Sequence, residues 1–224
     1  MQRFIGINAI LSLQYNAHYI YIMSIPKIIF QSSLKKPEQY VIDKILLNCQ
    51  DYKYIHYTDS QAIQFFTDNY IEEFKDIINK FNEMPTGAHK VDLFRYYHLY
   101  ITGGVYIDSD AMICDNIENI IKNYDFVSIY SIIPGTLFNG FIVCTPNHIA
   151  IYQALCNAYT INIQHLRLYY HLLCRNLYLI VHNNKNDRIH LYNEKVINSD
   201  NVETVDDENK TILIHYWKNK TIPQ

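Results

Sequence analysis

Glycine, proline and tryptophan are scarce in this chain of 224 residues, which has six glycines, six prolines and one tryptophan. So few glycines and prolines exclude a collagen-like chain and a Pro- or Gly-rich low-complexity protein. Tyrosine, by contrast, is abundant, with 21 residues. Tyrosine, isoleucine, asparagine and lysine all have A/T-rich codons, so this bias indicates an A/T-rich genome rather than a binding surface built from tyrosines.

A strong excess of charge of one sign is also lacking. The formal net charge is -3, and no run of lysines and arginines is present. Because such a run is what tracks a polyphosphate backbone, we expect no nucleic-acid partner. With 49% hydrophobic and 18% charged residues, the composition is typical of a soluble globular protein. The length suits one medium-sized domain with a core of its own.

Cysteine is present in a pattern that excludes the usual cysteine-rich architectures. The five cysteines are odd in number, widely spread and without a C-x-x-C motif. This argues against a disulfide framework and against a cysteine-rich zinc site. We expect buried thiols in a reducing compartment.

The chain has no long uninterrupted apolar run. Its most apolar stretch, residues 1–24, is broken by Asn8, Gln14, Asn16 and His18, whereas a spanning helix needs about 20 mostly apolar residues. We therefore expect no clear transmembrane segment and interpret residues 1–24 as a leader or a first helix, with a weak signal anchor as the alternative. The expected location is the cytoplasm or the cytosolic side of a membrane rather than the lumen of the secretory pathway.

Strands alternate with helices along the rest of the sequence. The helix predicted over Thr86–Tyr100 has Thr86 as its N-cap and ends at Gly103 or Gly104. The alternation predicts a single α/β domain with a mostly parallel central sheet flanked by helices, in which ligands bind at the carboxyl ends of strands. The predicted strands are Lys27–Gln31, Tyr52–Tyr57, Val105–Ile107, Asp125–Tyr130, Phe138–Cys144, Arg188–Tyr192 and Thr211–Tyr216, and the other helices lie within Pro37–Cys49, Ser60–Phe81 and Asn147–Tyr178.

The central helix carries two charges on a face that should be buried. Asp92 and Arg95 share one stripe with Ala88 and Leu99, at spacings of four, three and four residues. The remaining positions are apolar or aromatic nearly all round, which is typical of a buried helix. A buried aspartate and arginine must be paired or bound to a ligand. The pattern favours a structural Asp92–Arg95 ion pair and a ligand site equally.

Two aspartates, Asp108 and Asp110, follow the next strand and the Gly103-Gly104 pair. Hard carboxylate oxygens suit Mg²⁺ or Mn²⁺, which bind through one or two carboxylates together with the phosphates of a substrate. A D-x-D sequence alone is a weak signal. Its place at the end of an apolar strand, after the charged helix, makes a metal and phosphate site the favoured interpretation.

Together these residues resemble the DXD sugar-binding region of glycosyltransferase family 32. The resemblance is carried by A-x-x-x-D-x-x-R followed by G-G-x-Y-x-D-x-D, with Ala88, Asp92, Arg95, Gly103, Gly104, Tyr106, Asp108 and Asp110 at the matching positions. Weaker landmarks extend outward: Ile25–Gln31 resembles an opening strand I-P-K-x-I-H-Q, Tyr57–Asp59 a W-T-D segment, Phe138–Phe141 with Pro146–His148 an N-x-F…P-x-H stretch, and His215–Trp217 a terminal H-x-W.

The resemblance implies a GT-A (Rossmann-like) catalytic domain over residues 25–224, a UDP- or GDP-sugar donor and retention at the anomeric carbon. The acceptor would be a glycan, a lipid or a protein. Mn²⁺, or Mg²⁺, would be held by Asp110, Asp108 and His215, with Asp108 also reaching ribose or a metal-bound water. Asp92 and Arg95 would hold the donor sugar and phosphate. The further substrate-binding positions implied are Ala88, Gly104, Tyr106, Asn139 and Gln31.

The sequence departs from the family pattern at three positions. Phe30 replaces the usual histidine of the opening strand, Ser33 stands where a tryptophan often follows, and Tyr57 replaces the tryptophan of the next segment. A stacking residue for the nucleobase is therefore not identified by the resemblance.

Two alternatives remain open. A haloacid-dehalogenase-type phosphatase also uses an apolar strand followed by D-x-D, with Asp108 as the nucleophile. Met112 stands where that motif has threonine or valine, and about half of the chain precedes the motif rather than following it. A degenerate transferase fold that only binds a sugar nucleotide is the second alternative.

Overall fold

The structure, a computed structural model, describes residues 24–186, 188–197 and 201–216. It contains nine strands and eight α-helices within those ranges, with a short 3₁₀ helix at Glu72–Phe74. The strands are β1 (Ile28–Ser32), β2 (Lys53–Tyr57), β3 (Gly104–Ile107), β4 (Ala111–Ile113), β5 (Phe126–Tyr130), β6 (Phe141–Cys144), β7 (Ile189–Val196), β8 (Asn201–Val205) and β9 (Thr211–Tyr216). The helices are α1 (Gln39–Asn48), α2 (Asp59–Asp68), α3 (Ile77–Glu83), α4 (Gly87–Thr102), α5 (Ile117–Ile121), α6 (Ile149–Thr160), α7 (Ile163–Leu168) and α8 (Leu172–Asn183).

The strands form one sheet in the order β2-β1-β3-β6-β5-β7-β8-β9-β4. The predicted α/β class is confirmed, but the expectation of a mostly parallel sheet needs correction. Only the β1–β2, β1–β3 and β5–β7 pairs are parallel, and these pairs are linked by helices. The other pairs are antiparallel. Short connections such as the one between β8 and β9 cannot make the crossover that parallel pairing requires.

Helices cover both faces of the sheet. Side chains of β3 alternate between the two faces, since Tyr106 joins one hydrophobic cluster while Val105 and Ile107 join the other. The Tyr106 face is covered by α2, α3, α4, α6, α7 and α8, and the opposite face by α1 and α5. Because side chains alternate along a strand, those of Tyr106 and Asp108 lie on the same face of the sheet. This is the face covered by α4, the helix that carries Asp92 and Arg95.

The sheet folds back on itself at the segment between β3 and β4. Only Asp108, Ser109 and Asp110 separate these two strands, yet β3 lies third from one end of the sheet and β4 forms the other end. The β8-β9-β4 end must therefore lie close to the carboxyl end of β3. Residues of β3 and of β4 share one hydrophobic cluster, as this folding back requires.

Most predicted elements are present, with differences at their ends. Thr86 caps α4, since its side chain accepts a hydrogen bond from the His89 N–H. The helical stretch predicted over Asn147–Tyr178 is three helices, because Asn162 caps a new helix by accepting from the Gln164 N–H and the chain breaks again before α8. Strands β4 and β8 and helix α5 are additions that the sequence pattern did not indicate.

The predicted strand Phe138–Cys144 begins only at Phe141. Residues 138–140 instead turn beside the end of β3, where the Asp108 N–H donates to the Gly140 carbonyl at 2.8 Å. The leader or first helix assigned to residues 1–24 lies, apart from Ser24, outside the described residues, as does Trp217. None of the helices in the described part of the chain is both long enough and apolar enough to span a bilayer.

Candidate active site

The Gly103-Gly104 pair allows helix α4 to end directly against the sheet. Both residues have positive φ, +63° and +98°, which glycine adopts without strain. A Cβ on Gly104 would lie 2.6 Å from the Ile28 carbonyl oxygen, and one on Gly103 would lie 2.7 Å from Pro146. Gly104, predicted to bind substrate, thus packs against β1, and its role in the structure is to fix where β3 begins.

Asp108 is held in place from several sides at the carboxyl end of β3. Gln31 donates through Nε2 to the Asp108 carbonyl at 2.9 Å, and the Tyr54 hydroxyl donates to Gln31 Oε1 at 2.8 Å. The Tyr106 hydroxyl donates to Asp108 Oδ1. Gln31 and Tyr106 are both fully buried. They were predicted to bind substrate, but the structure places them behind Asp108, where they orient it.

Arg95 is a buried cation between two carboxylates. Its Nη2 lies 3.1 Å from Asp108 Oδ1 and 3.4 Å from Asp92 Oδ1, and Nη1 donates to the Asn139 carbonyl. The guanidinium lies over the Tyr106 ring, 4.1 Å from its centroid. Burial alone would lower the pKa of Arg95, but Tyr106, Asp108 and Asp92 together raise it, so the guanidinium stays charged.

Asp92 and Asn139 form the neighbouring part of the same network. Asn139 donates through Nδ2 to Asp92 Oδ1 at 3.1 Å and to the Tyr96 hydroxyl at 2.7 Å. Burial raises the pKa of Asp92, against the opposing effects of Arg95 and Asn139. Among the described residues, no partner is found for the buried Asn139 Oδ1 and Arg95 Nε. Unsatisfied buried polar atoms are uncommon, and a ligand that completes them is one physical explanation.

Asp110 and His215 meet on the folded-back end of the sheet. Strand β9 pairs with β4 so that His215 lies opposite Ala111, and His215 Nε2 lies 3.6 Å from Asp110 Oδ1. Asp108, Asp110 and His215 each offer one ligand atom, and these atoms all lie within 4.8 Å of one another. Burial would lower the pKa of His215, but the nearby carboxylates of Asp110, Asp108 and Glu194 raise it. A cation would satisfy the same carboxylates.

These groups open into one cavity of about 640 Å³, which is within the range of small-molecule sites. The predicted residues that line it are Ala88, Asp92, Arg95, Asp108, Asp110, Asn139 and His215. Gln31, Gly104 and Tyr106 are not among the lining residues. The Asp92–Arg95 ion pair, one of the two interpretations of the helix pattern, is present, and both of its members also line the cavity.

The three departures from the family pattern have different positions. Phe30 is fully buried, with its ring centroid 3.8 Å from that of His98, and Tyr57 contacts the same aromatic cluster. Neither ring lines the cavity, whereas Ser33 does. Ser33 Oγ is hydrogen-bonded to His56 Nε2 at 2.9 Å.

Sequence reasoning missed several lining residues. Glu194 of β7 accepts a hydrogen bond from the Ile132 N–H at 2.9 Å, and burial raises its pKa. Tyr170 lines the cavity beside His89, which is hydrogen-bonded to the Tyr170 carbonyl at 3.0 Å. Lys90 pairs with Asp59 at 3.5 Å. No sequence signal marks Glu194, since only the β5–β7 pairing brings it to the site.

Comparison with known proteins finds similarity to glycosyltransferases. A model described as the glycosyltransferase sugar-binding region containing the DXD motif matches residues 35–127. Inositol phosphoceramide mannosyltransferase 1 of Schizosaccharomyces pombe is 29% identical over 118 residues, which are 53% of this chain and 35% of that protein. This chain thus spans about a third of the length of that relative.

Among solved structures, the PaToxG glycosyltransferase aligns with a TM-score of 0.53 and 15% identity, over 78% of this chain and 75% of that one. At this identity the similarity shows the fold. The matched region holds Asp92, Arg95, Asp108 and Asp110, and the match favours a glycosyltransferase over the phosphatase alternative. Over residues 35–127 the chain is therefore similar to the glycosyltransferases whose sugar-binding region contains the DXD motif, and the mannosyltransferase match supports the same class of enzyme.

Proposed function

We propose that this protein is a metal-dependent, retaining GT-A glycosyltransferase that moves a hexose from a UDP- or GDP-sugar to a glycan, lipid or protein acceptor. One observation carries the proposal. The buried Arg95, held between Asp92 and Asp108, opens into the same cavity as the Asp108, Asp110 and His215 cluster. The cavity thus joins a fixed cation to a set of metal ligands, which is what a diphosphate needs.

The side chains of this cluster fit a divalent cation. Ligand atoms about 2.2 Å from one ion lie at most about 4.4 Å apart, so a spread within 4.8 Å requires only a small closing movement. Two carboxylate oxygens with one imidazole nitrogen suit Mn²⁺ better than Mg²⁺, which prefers oxygen ligands throughout. When bound, the ion would act as a Lewis acid for the diphosphate leaving group.

Asp92, Asn139 and Arg95 would hold the donor sugar. Asn139 Oδ1 and Arg95 Nε, which have no partner among the described residues, would accept from and donate to sugar hydroxyls. Asp92 would accept from a hydroxyl through a carboxylate that Arg95 and Asn139 orient. A site built to hydrogen-bond hydroxyl groups discriminates strongly against donors that lack them.

Cleavage of the bond between the anomeric carbon and the phosphate oxygen leaves negative charge on the nucleoside diphosphate. Arg95 is already charged and oriented before the reaction, so it would stabilise this charge without reorganisation. The acceptor hydroxyl would attack the anomeric carbon from the face of the sugar that the diphosphate leaves. Its oxygen would bond to the anomeric carbon, and its proton would pass to the departing phosphate oxygen. This route retains the configuration.

Every carboxylate that lines the cavity has a partner among the described residues, and we assign none of them as a covalent nucleophile. Asp59 pairs with Lys90, Asp92 and Asp108 with Arg95, and Asp110 with His215, while Glu194 accepts from Ile132.

The test is release of UDP or GDP by the purified protein with Mn²⁺, across a panel of UDP- and GDP-sugars. We expect one donor to be turned over, and turnover to stop on chelation and in Asp108→Asn/Asp110→Asn. Arg95→Met should lower kcat/KM by about 10²–10³. Asp51→Asn is the matched control, since Asp51 pairs with Lys27 on an exposed surface, and it should leave turnover unchanged.

Retention is tested separately by following the anomeric proton of the glycoside product by NMR. A product with inverted configuration would contradict the same-face mechanism. No release from any donor, together with no thermal shift from nucleotides and Mn²⁺, would overturn the proposed activity and favour a degenerate binding module.

A further inference from the structure

Acidic residues are absent from a long continuous part of the sequence. All 22 aspartates and glutamates lie outside residues 126–186, although the chain has a net charge of -3. The same stretch contains Arg167, Arg175 and Lys185. It includes β5, β6 and helices α6, α7 and α8. Charge is therefore segregated, and this part of the molecule is basic.

The connection from α7 to α8 exposes three large hydrophobic side chains in succession. Leu168 is 73% exposed, Tyr169 64% and Tyr170 55%. Single exposed hydrophobic residues are normal on a protein surface, but contiguous ones mark interaction sites. We name this surface, formed by Arg167, Leu168, Tyr169, Tyr170 and Arg175, the α7–α8 patch.

The basic and aromatic residues of the patch lie together. Tyr169, Tyr170 and Arg175 line one cavity of about 580 Å³, together with Ile133 and Pro134. None of the ion pairs among the described residues involves Arg167 or Arg175. The patch thus presents apolar surface beside two arginines that have no ion-pair partner among the described residues.

We propose that the α7–α8 patch docks on the surface of an anionic lipid bilayer. Tyrosine places its ring among lipid headgroups with its hydroxyl in water, and leucine can enter the acyl boundary. Arginines attract anionic headgroups, and no acidic residue of residues 126–186 opposes them. Complementarity of charge favours anionic lipid over a neutral membrane.

Docking there would place the active-site cavity next to the membrane. Tyr170 and Arg175 line the cavity of the patch, and Tyr170 also lines the 640 Å³ cavity that holds Asp92 and Asp110. A lipid-borne acceptor could then reach the donor site without leaving the bilayer. This last consequence rests on the proposed glycosyltransferase activity, whereas the docking itself does not.

The docking is tested by flotation of the full chain with vesicles of phosphatidylcholine alone and with about 30% phosphatidylserine. We expect partitioning to be at least about tenfold stronger on the anionic vesicles, and to weaken as salt rises, because the arginine contribution is screened. Absence of binding to both kinds of vesicle, or equal binding to both, would overturn the proposal.

Substitutions in the α7–α8 patch test whether this is the surface that contacts the vesicles. Leu168→Ser/Tyr169→Ser should weaken binding about tenfold, and Arg167→Gln about fivefold. Two control variants change the same kinds of side chain elsewhere: Leu47→Ser/Tyr70→Ser alters side chains that are 61% and 59% exposed, and Lys44→Gln removes one exposed cation.

Controls that lose as much binding as the patch variants would contradict docking at this surface. Circular dichroism and unfolding midpoints establish that each variant is folded. Donor hydrolysis in the absence of lipid is measured alongside. Retained hydrolysis with no vesicle binding overturns the docking alone, and vesicle binding without hydrolysis overturns only the proposed activity.

Discussion

At the scale of single residues, Arg95 has contacts that only a guanidinium can make together. It reaches Asp92 and Asp108 through one nitrogen and the Asn139 carbonyl through another, while its plane lies over the Tyr106 ring. An ammonium group is a single point of charge without this planar fork. Lysine at this position would keep the charge but lose the geometry that orders the network.

His98 of α4 is a second buried polar residue, away from the site. Its Nδ1 is hydrogen-bonded to Thr102 Oγ1 at 2.9 Å and its Nε2 to the Tyr57 hydroxyl at 3.2 Å, and its ring stacks on Phe65. Burial lowers the pKa of His98 from 6.5 to about 3. The folded protein therefore holds this imidazole neutral, while the unfolded chain takes up a proton below about pH 6.5.

This difference predicts that the free energy of unfolding falls with acid. The contribution of neutral His98 is complete above pH 6.5 and is lost as the pH falls toward 3. Between about pH 6.5 and about pH 4.5, we expect the wild type to lose about 2 kcal/mol more stability than His98→Gln. Urea unfolding of both proteins across this range measures the difference.

The remaining pH dependence should be common to the two proteins. His148, whose pKa burial lowers to about 4 even though Asp125 opposes the shift, is present in both and destabilises both in acid. Parallel stability curves for the wild type and His98→Gln would contradict the assignment to His98.

At the scale of secondary-structure elements, the junction of α4 with β3 can be tested by a graded series of glycine substitutions. Gly104 combines a φ of +98° with a Cβ that would lie 2.6 Å from the Ile28 carbonyl oxygen. Gly135 has a φ of +72° but open space around its Cβ, and Gly87 has open space and no positive φ.

We expect alanine to destabilise the protein most at Gly104, less at Gly135 and least at Gly87. We expect Gly104→Ala to cost about 3 kcal/mol or more, from backbone strain together with the clash. Gly135→Ala should cost about 1 kcal/mol from strain alone, and Gly87→Ala should be close to neutral. Urea unfolding midpoints test the order. Equal losses at Gly104 and Gly135 would show that β3 can move away from β1 and that the close contact is not fixed.

The elements also show which features the sequence could predict. Helix α4 and strand β3 follow from local signals, namely the Thr86 cap, the apolar pattern and the glycine pair, and the residues that α4 and β3 carry are the ones the D-x-D pattern indicated. The short strands β4 and β8 have no such signal. Strand β4 pairs with β9, which is distant in sequence, whereas β8 pairs with its sequence neighbours β7 and β9. Glu194 reaches the cavity through the pairing of β7 with β5, which is also distant in sequence, and this explains why the sequence did not reveal it.

Burial changed the interpretation of several predicted residues. Gln31 and Tyr106 have the chemistry of substrate ligands, but the pairing of β1 with β3 buries both behind Asp108. A sequence motif records which residues act together without separating those that contact a ligand from those that orient the contacting residue. Only the packing of β1, β3 and α4 makes that distinction.

At the scale of the whole molecule, the site joins parts of the chain that are far apart in sequence. Asp92 and Arg95 come from α4, Asp108 and Asp110 from the two ends of the segment between β3 and β4, and His215 from β9. Strand β4 forms one end of the sheet and pairs with β9 through only three residues. Because this edge pairing is so short, local separation of β4 from β9 should cost little free energy. A cation bound by both Asp110 and His215 would stabilise the paired state.

Metal and nucleotide should therefore protect the β4–β9 pair against hydrogen exchange. With nucleotide present and the metal at about 100 times its Kd, metal binding contributes about 2.7 kcal/mol, which corresponds to about 100-fold slower exchange at amides that open only when the metal leaves. Exchange followed by mass spectrometry should show this slowing in peptides covering 111–113 and 211–216. In His215→Ala, β9 should lose most of its protection while α4 keeps the part that comes from nucleotide contact with Arg95. Protection confined to α4 in the wild type would mean that β9 takes no part in the metal site and that Asp108 and Asp110 hold the ion without His215.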